Sequence, residues 1–397
     1  MKKLMILGAG IYQVPLIYTA KEMGIYTIVL SYRGKYPGFN LADKVYYIDT
    51  TDSDKVLKTA QNEKIDGICT AGTDVAMASI GRVVSTMQLP GPSWESTQLV
   101  TNKHKMKKAF LEHGIRTAEY RTVTSIEEAR LAYDLLKDFD SEARVVFKVL
   151  DSSGSRGIVI VSENNQIESA YRQVMEITKE SYFIVEQFLD GIEFGAQALI
   201  HNNEIKFFIT HGDIVYKSDI ATVPIGHYLP CGLSHKIVED ARAQLKYSIT
   251  ATGIDNCAVN VDYILCDNNV YMLEIGARAG ATCLPELIDC YAGISYYKEI
   301  IKLALGMSPH IEETTKQPCA AQLICSDRTG TIKKIELNGK YQTGLVDLKF
   351  DVTNGDLVRR FLVGPDRIGH VVVKGNSVEE AQILISETLN NITIDFE

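Results

Sequence analysis

The chain has 397 residues, of which 46% are hydrophobic and 23% charged; these are the proportions of well-packed globular proteins, so disorder is not the default and fibres and disulfide-stapled miniproteins are excluded. At roughly 100–200 residues per domain the length implies two to four domains. A formal net charge of −9 argues against a nucleic-acid partner, whose phosphates would have to be held against the overall field.

From Lys3 onward the pattern is an apolar strand, a Gly8-Ala9-Gly10 turn, a helix to about Met23, and a second strand over Tyr26–Leu30, which together make a βαβ unit. Strands at Val45–Ile48 and Gly67–Thr70 alternate with helices at Lys55–Gln61 and Val75–Thr86, so residues 1–100 are expected to form a small doubly wound parallel sheet. The turn-rich Leu89-Pro90-Gly91-Pro92-Ser93 marks a boundary, with a new unit from about Thr101. Helices follow at Lys103–His113 and, opened by Ser-x-x-Glu, at Ser125–Leu136. Strands are expected at Arg144–Leu150, Gly157–Val161 and Tyr182–Leu189, with a helix at Ile167–Thr178 between them. Two hairpins come next. One pairs Phe194–Ile200 with Glu204–Thr210 across Asn202-Asn203; the other pairs Cys257–Leu265 with Val270–Ile275 across Asp267-Asn268-Asn269. After about Pro309, strands at Ala320–Ser326, Thr331–Glu336 and His370–Lys374 and a helix at Ser377–Leu389 make a small C-terminal part.

The longest apolar runs, such as Leu4–Leu7 and Ala196–Ile200, fall far short of the ~20 residues of a membrane span, and the N-terminus leads into a strand instead of a signal sequence. A soluble, cytoplasmic protein with no membrane partner is the expectation. The eight cysteines include no CxxC pair, so they read as reduced, mostly buried thiols, not as a zinc site or a disulfide framework.

Four motifs carry chemistry. Gly8-Ala9-Gly10 has the strand-turn-helix context of a dinucleotide fingerprint, but Gln13 stands where the third glycine belongs, and Ser31 ends the second strand without an acid for a ribose. Dinucleotide-dependent redox chemistry is therefore disfavoured, leaving a small-ligand contact or a structural turn. In Lys148-Val-Leu-Asp-Ser-Ser-Gly-Ser-Arg-Gly157, a strand-end lysine precedes a loop of small residues whose backbone N–H groups can approach phosphate oxygens; the plain alternative is a flexible hairpin loop. In the second hairpin, a turn centred on Asn268 sets Asp262 opposite Glu274 and Asn260 opposite Gly276. Two carboxylates ~5 Å apart on one face destabilise a sheet unless something positive lies between them, and Mg²⁺ suits that place. Arg278, four residues beyond Glu274, could neutralise the pair or steady a transferred phosphoryl group. Finally, Glu186-Gln-Phe-Leu-Asp-Gly-Ile-Glu193 puts an acid at each end of a turn; Glu186 could accept from an amine and Glu193 from ribose hydroxyls, unless both are surface acids.

Taken in order, Lys103, Lys148 with its Ser/Gly loop, Glu186 to Glu193, Asp262 and Leu273-Glu-Ile-Gly-Ala-Arg278 resemble the ATP-grasp superfamily over residues 1–310, nearest to carboxylate-amine ligases, biotin carboxylase and carbamoyl phosphate synthetase. The resemblance implies an α/β plus α+β fold: a doubly wound N-terminal domain (1–100), a two-part ATP-grasp module (101–185 and 186–308) and a C-terminal α+β domain (309–397). It also implies ATP and Mg²⁺, with Mn²⁺ as a substitute. Lys103 and Lys148 would hold phosphates and Ser153, Gly154, Ser155 and Gly157 would close over them. Glu186, Gln187 and Leu189 would border the adenine and Glu193 the ribose. Asp262 and Glu274 would bind the metal, and Arg278 would steady an acyl phosphate. The family's usual Asn two residues past the second metal acid is Gly276 here, and Asn260 could supply the missing oxygen.

The reaction expected is phosphorylation of a carboxylate to an acyl phosphate and its displacement by an amine. A bicarbonate-using carboxylase or carbamoyl phosphate synthetase-like enzyme, and a nucleotide-binding module without turnover, are the alternatives. Small-molecule carboxylate and amine (or bicarbonate) are the partners, a homodimer is left open, and His211–Ser234 is expected to line the acceptor pocket.

Overall fold

The computed structural model describes residues 1–150, 157–217, 222–338 and 343–397. The chain opens with β1 (Lys3–Leu7), α1 (Val14–Glu22), β2 (Tyr26–Ser31), β3 (Lys44–Tyr47), α2 (Ser53–Glu63), β4 (Gly67–Cys69) and α3 (Met77–Met87). The four strands form a parallel sheet in the order β3-β2-β1-β4. Central β1 is apolar along its whole length because both faces are covered: Leu4 and Ile6 enter one core, Met5 and Leu7 the other. The Gly8 turn has φ +100°, and the Gln13 side chain fills the turn, accepting from Gly10 N–H and donating to the Ala71 carbonyl. A buried glutamine thus occupies the space that a glycine-lined dinucleotide turn leaves open. Past the Pro-Gly-Pro stretch lies α4 (Trp94–Val100), capped by Ser93, where only a boundary was expected. Then comes α5 (Lys103–Glu112), capped by Asn102.

A second layer comprises β5 (Tyr120–Val123), α6 (Ile126–Leu136), β6 (Val145–Lys148), β7 (Ile158–Val161), α7 (Ile167–Ile177) and β8 (Phe183–Gln187), with an antiparallel sheet ordered β5-β8-β6-β7. Alternate residues such as Val145, Phe147, Phe183 and Val185 pack under α6 and α7.

The largest sheet is built from β9 (Ile192–His201), β10 (Glu204–Lys217), β11 (Thr222–Leu229), β12 (Cys257–Cys266) and β13 (Asn269–Gly276), with α8 (His235–Thr252) between β11 and β12. Helix α8 buries Ile237, Ala241, Leu245 and Ile249 against Val259, Val261 and Tyr263 of β12. The intervening Asn260 and Asp262 therefore face the other way. The first hairpin turns at Asn202-Asn203 as expected, both residues at positive φ. The second turns on only two residues, Asp267-Asn268, also at positive φ, and not on three. That tighter turn alone would misalign the two acids by one residue. A β-bulge between Asp262 and Tyr263 restores the pairing of Asp262 with Glu274 and of Asn260 with Gly276.

Beyond α9 (Leu284–Ala292) and α10 (Tyr296–Ala304) the chain forms β14 (Cys319–Ile324), β15 (Gly330–Leu337), β16 (Leu345–Phe350), β17 (Leu357–Val358), β18 (Gly369–Lys374), α11 (Val378–Asn390) and β19 (Ile392–Phe396). Strands β14, β18 and β16 extend the large sheet to the order β13-β12-β9-β10-β11-β14-β18-β16, while β17-β15-β19 make a separate small sheet. All eight cysteines are free, but only Cys69, Cys283 and Cys319 are fully buried; the other five are half-buried. Among the described residues no helix is long and apolar enough to cross a membrane.

Candidate active site

Strand register lines up a row of side chains across the open face of the large sheet. His211 on β10 is opposite Gly195 on β9, Gly195 is opposite Asp262 on β12, and Asp262 is opposite Glu274 on β13. One step along, Gln197, Asn260 and Gly276 form the neighbouring row. Directly paired residues share a face, so the carboxylates stand together while Ala196, Val261 and Ile275 between the rows enter the core.

Cations converge on this face from two other elements, α5 and β6. Lys103, at the first turn of α5, places Nζ 2.7 Å from Glu274 Oε2. Burial opposes charge on both groups. The pairing outweighs it, holding Glu274 below the usual carboxylate range and Lys103 above the usual amine value. One helical turn on, fully buried Lys107 donates to Thr117 Oγ1 at 2.9 Å and lies 3.3 Å from Glu186 Oε1. Its pKa is lowered by burial, with Lys148 adding repulsion. Lys148 Nζ, at the end of β6, is 3.9 Å from the other Glu186 oxygen.

Arg278 has a partner that the sequence did not suggest. It makes a two-pronged pair with Asp74, Nε to Oδ1 at 2.9 Å and Nη2 to Oδ2 at 2.6 Å, tying the N-terminal layer to the end of β13. This pair also accounts for Gly276: a Cβ there would lie 3.1 Å from Asp74 Oδ1 and 3.6 Å from the guanidinium carbon.

Asp262 is the acid of the pair that has no ion-pair partner among the described residues. Loss of water in the cleft, then Glu274 and Asp213, raise its pKa to about 6. Two facing carboxylates, one lacking a cation, suit a hard divalent ion with oxygen ligands, and the residues present therefore fit Mg²⁺. Asn260 is turned otherwise than expected: Oδ1 accepts from Gln197 Nε2 at 2.5 Å, and its amide nitrogen donates to Asp262 Oδ1 at 3.1 Å. In this arrangement Asn260 orients the Asp262 carboxylate and has its own oxygen engaged.

Of the residues assigned to the nucleotide, Ser153, Gly154 and Ser155 lie outside the described residues. Gly157 closes the base of that loop, its carbonyl accepting from Val149 N–H, and a Cβ on it would meet Val149 at 2.7 Å. Glu186 is not a surface acid: it is buried on central β8 between Lys107 and Lys148. The Gln187 N–H donates to Glu119 O at 2.8 Å. Leu189 packs with Ala118 and Ile264, and with Tyr271 and Leu273, in a small apolar cluster at the cleft. Glu193 opens β9 on the same side, its carboxyl raised by desolvation and by Asp213.

Residues 101–251 match the family model "Phosphoribosylglycinamide synthetase, ATP-grasp (A) domain" and residues 322–397 match "L-amino acid ligase C-terminal domain 2". The solved structure of phosphoribosylglycinamide synthetase from Anaerococcus prevotii is 33% identical, with TM-score 0.86 and complete coverage of both chains. The chain belongs to the ATP-grasp ligases. An L-amino acid ligase structure from Bacillus licheniformis, 17% identical, shares the fold with TM-score 0.81, covering 100% of this chain and 99% of that one. A carbamoyl phosphate synthase large chain from Clostridium acetobutylicum is 22% identical over 73% of this chain, which spans only 27% of that larger protein. ATP and Mg²⁺ are the cofactors of the family, and this ATP-grasp ligase is an enzyme of the ligase type.

Several site residues of this ligase escaped the sequence reading. Lys107 carried a signal, the i,i+4 spacing from Lys103 that puts both on one helix face. Asp74 and Gln197 carried none, because only strand pairing and domain docking bring them to the cleft; His211, Asp213 and His227 fall in the His211–Ser234 segment expected to line the acceptor pocket, but only strand pairing makes them a cluster.

Proposed function

We propose that this ATP-grasp ligase phosphorylates a small-molecule carboxylate to an acyl phosphate and lets an amine displace the phosphate, forming a C–N bond and releasing ADP and inorganic phosphate. The observation that carries this reading is the facing pair Asp262 and Glu274, with Lys103 on one acid and, among the described residues, no cation paired with the other. Mg²⁺ held by these acids would shield the charge of the phosphate oxygens. Lys148, beside the loop that ends at Gly157, would give a compact positive charge to the nucleotide phosphates, and Lys103 would share itself between Glu274 and a phosphate oxygen. Leu189, Tyr271 and Leu273 offer the adenine an apolar wall. Arg278, held by Asp74, presents a fixed guanidinium at the end of β13 where the acyl phosphate would form. The match of residues 322–397 to an L-amino acid ligase domain favours an organic carboxylate over bicarbonate as the group that is phosphorylated. A cytoplasmic location belongs to the same reading.

A screen of carboxylate and amine pairs with Mg-ATP, read by phosphate release, tests it. Phosphate release that requires both a carboxylate and an amine is the expected result. Phosphate release with bicarbonate alone, or no substrate-dependent release with any pair, would overturn it.

A further inference from the structure

Apart from the acids already described, the described residues hold one cluster of potential ligand atoms: His211, Asp213 and His227 on β10 and β11. Asp213 Oδ1 accepts from His227 Nδ1 at 2.7 Å and from His211 Nδ1 at 3.1 Å, and the two rings meet edge to face with centroids 4.8 Å apart. With both Nδ1 atoms donating to one carboxylate, each neutral ring carries its free lone pair on Nε2. His211 is 3% exposed, and its Nε2 has no hydrogen-bond partner among the described residues. A buried polar atom left unmade costs stability, so this one calls for a role. Its setting suggests the role. A Cβ on Gly195 would stand 2.4 Å from Nε2 and 2.2 Å from Cε1, so the ring occupies the notch left by the missing side chain. Gly195 is the residue between His211 and Asp262 in the row, so the free nitrogen lies against the strand that separates His211 from the carboxylate pair.

We propose that His211 Nε2 accepts the proton released when the amine attacks the acyl phosphate, with Asp213 and His227 as positioning residues. This rests on the reading that the enzyme makes an acyl phosphate. As the C–N bond forms, one N–H proton passes to Nε2. The bond between the acyl carbon and the phosphate oxygen breaks with its electron pair on oxygen, and inorganic phosphate leaves. The imidazolium is stabilised by Asp213 and returns its proton to the departing phosphate or to water. The charged groups around His211 are Asp213, His227 and Asp262, with Glu193 beside Asp213. Burial, aided by His227 and opposed by Asp213 and Asp262, lowers its pKa, so the ring is neutral near pH 7, the form that can take a proton.

Two nucleophiles separate this role from a structural one. Hydroxylamine, largely uncharged at neutral pH, attacks acyl phosphates without a base and yields a hydroxamate; an amino acid's amine does need one. The full-length enzyme would be given Mg-ATP and a pool of the protein amino acids, with and without hydroxylamine. In H211Q, peptide formation should fall about 100-fold and recover partly at higher pH, while hydroxamate formation stays within about threefold of the parent; D213N should fall between the two. Equal loss of both products would overturn the proposal, as would loss of neither. Should H211Q fail to fold, H211N serves the same comparison, and melting temperature confirms the fold of each variant. A transition metal retained stoichiometrically on the two histidines would also overturn it, since both rings would then be ligands. If the parent itself forms no hydroxamate from any carboxylate, the acyl phosphate reading fails, and this proposal with it.

Discussion

Asp262 stands directly opposite Glu274 across β12 and β13, beside a β-bulge, and among the described residues only Glu274 of the two is paired with a cation. The two acids, alike in the sequence, therefore respond in opposite ways to loss of charge. Asp262→Asn removes a carboxylate whose pKa is raised to about 6 by desolvation and by Glu274. A raised folded-state value means that the native protein binds more protons than the unfolded chain between about pH 4 and 6, so ionisation of Asp262 lowers stability as pH rises through that window. The metal-free variant should melt at or above the parent temperature at pH 7, with a flatter profile between pH 4 and 7. Thermal unfolding across pH checks this, and stabilisation by Mg-ATP should be largely lost.

Glu274→Gln should do the reverse, because it leaves buried Lys103 without its partner at 2.7 Å. We expect a loss of about 1–2 kcal/mol in urea unfolding without ligand, together with a weakened response to Mg-ATP.

Lys148→Ala should leave the fold intact, since Lys107 still lies 3.3 Å from Glu186 when Lys148 is gone. ATP should no longer raise the melting temperature. A shift equal to the parent's would remove Lys148 from the phosphate site.

Lys107→Met addresses the other lysine on Glu186. Both side chains are almost fully buried, and removing one member of such a pair leaves a charge that water cannot reach. Unfolding in urea should show a loss of about 3 kcal/mol, near the low end for such pairs because Lys148 remains at 3.9 Å.

Asn260→Ala should raise the Mg²⁺ concentration required for half-maximal ATP hydrolysis, since the Asn260 amide orients Asp262 Oδ1 and its oxygen is engaged by Gln197. Unchanged Mg²⁺ dependence would show that Asp262 needs no such support.

The sequence by itself determined the alternation of elements, the order of the lysines and acids proposed to hold phosphate and metal, and a glutamine in place of the third glycine of a dinucleotide turn. These follow from local rules: apolar periodicity, caps such as Ser125, positive-φ asparagines at hairpin turns, and a glutamine where a glycine would be needed. It also placed Asp262 opposite Glu274, though through a three-residue turn, when a two-residue turn and a compensating bulge bring them together. Bulges escape sequence arithmetic because one extra residue is stabilised by twist and by what packs on each face. Only the tertiary structure decided which charges meet. Arg278 binds Asp74 from 204 residues away, Lys107 and Lys148 enclose Glu186, and His211 lies over Gly195. Such pairings depend on strand order and domain docking, and a carboxylate in a one-dimensional chain carries no mark of which cation the fold will bring to it.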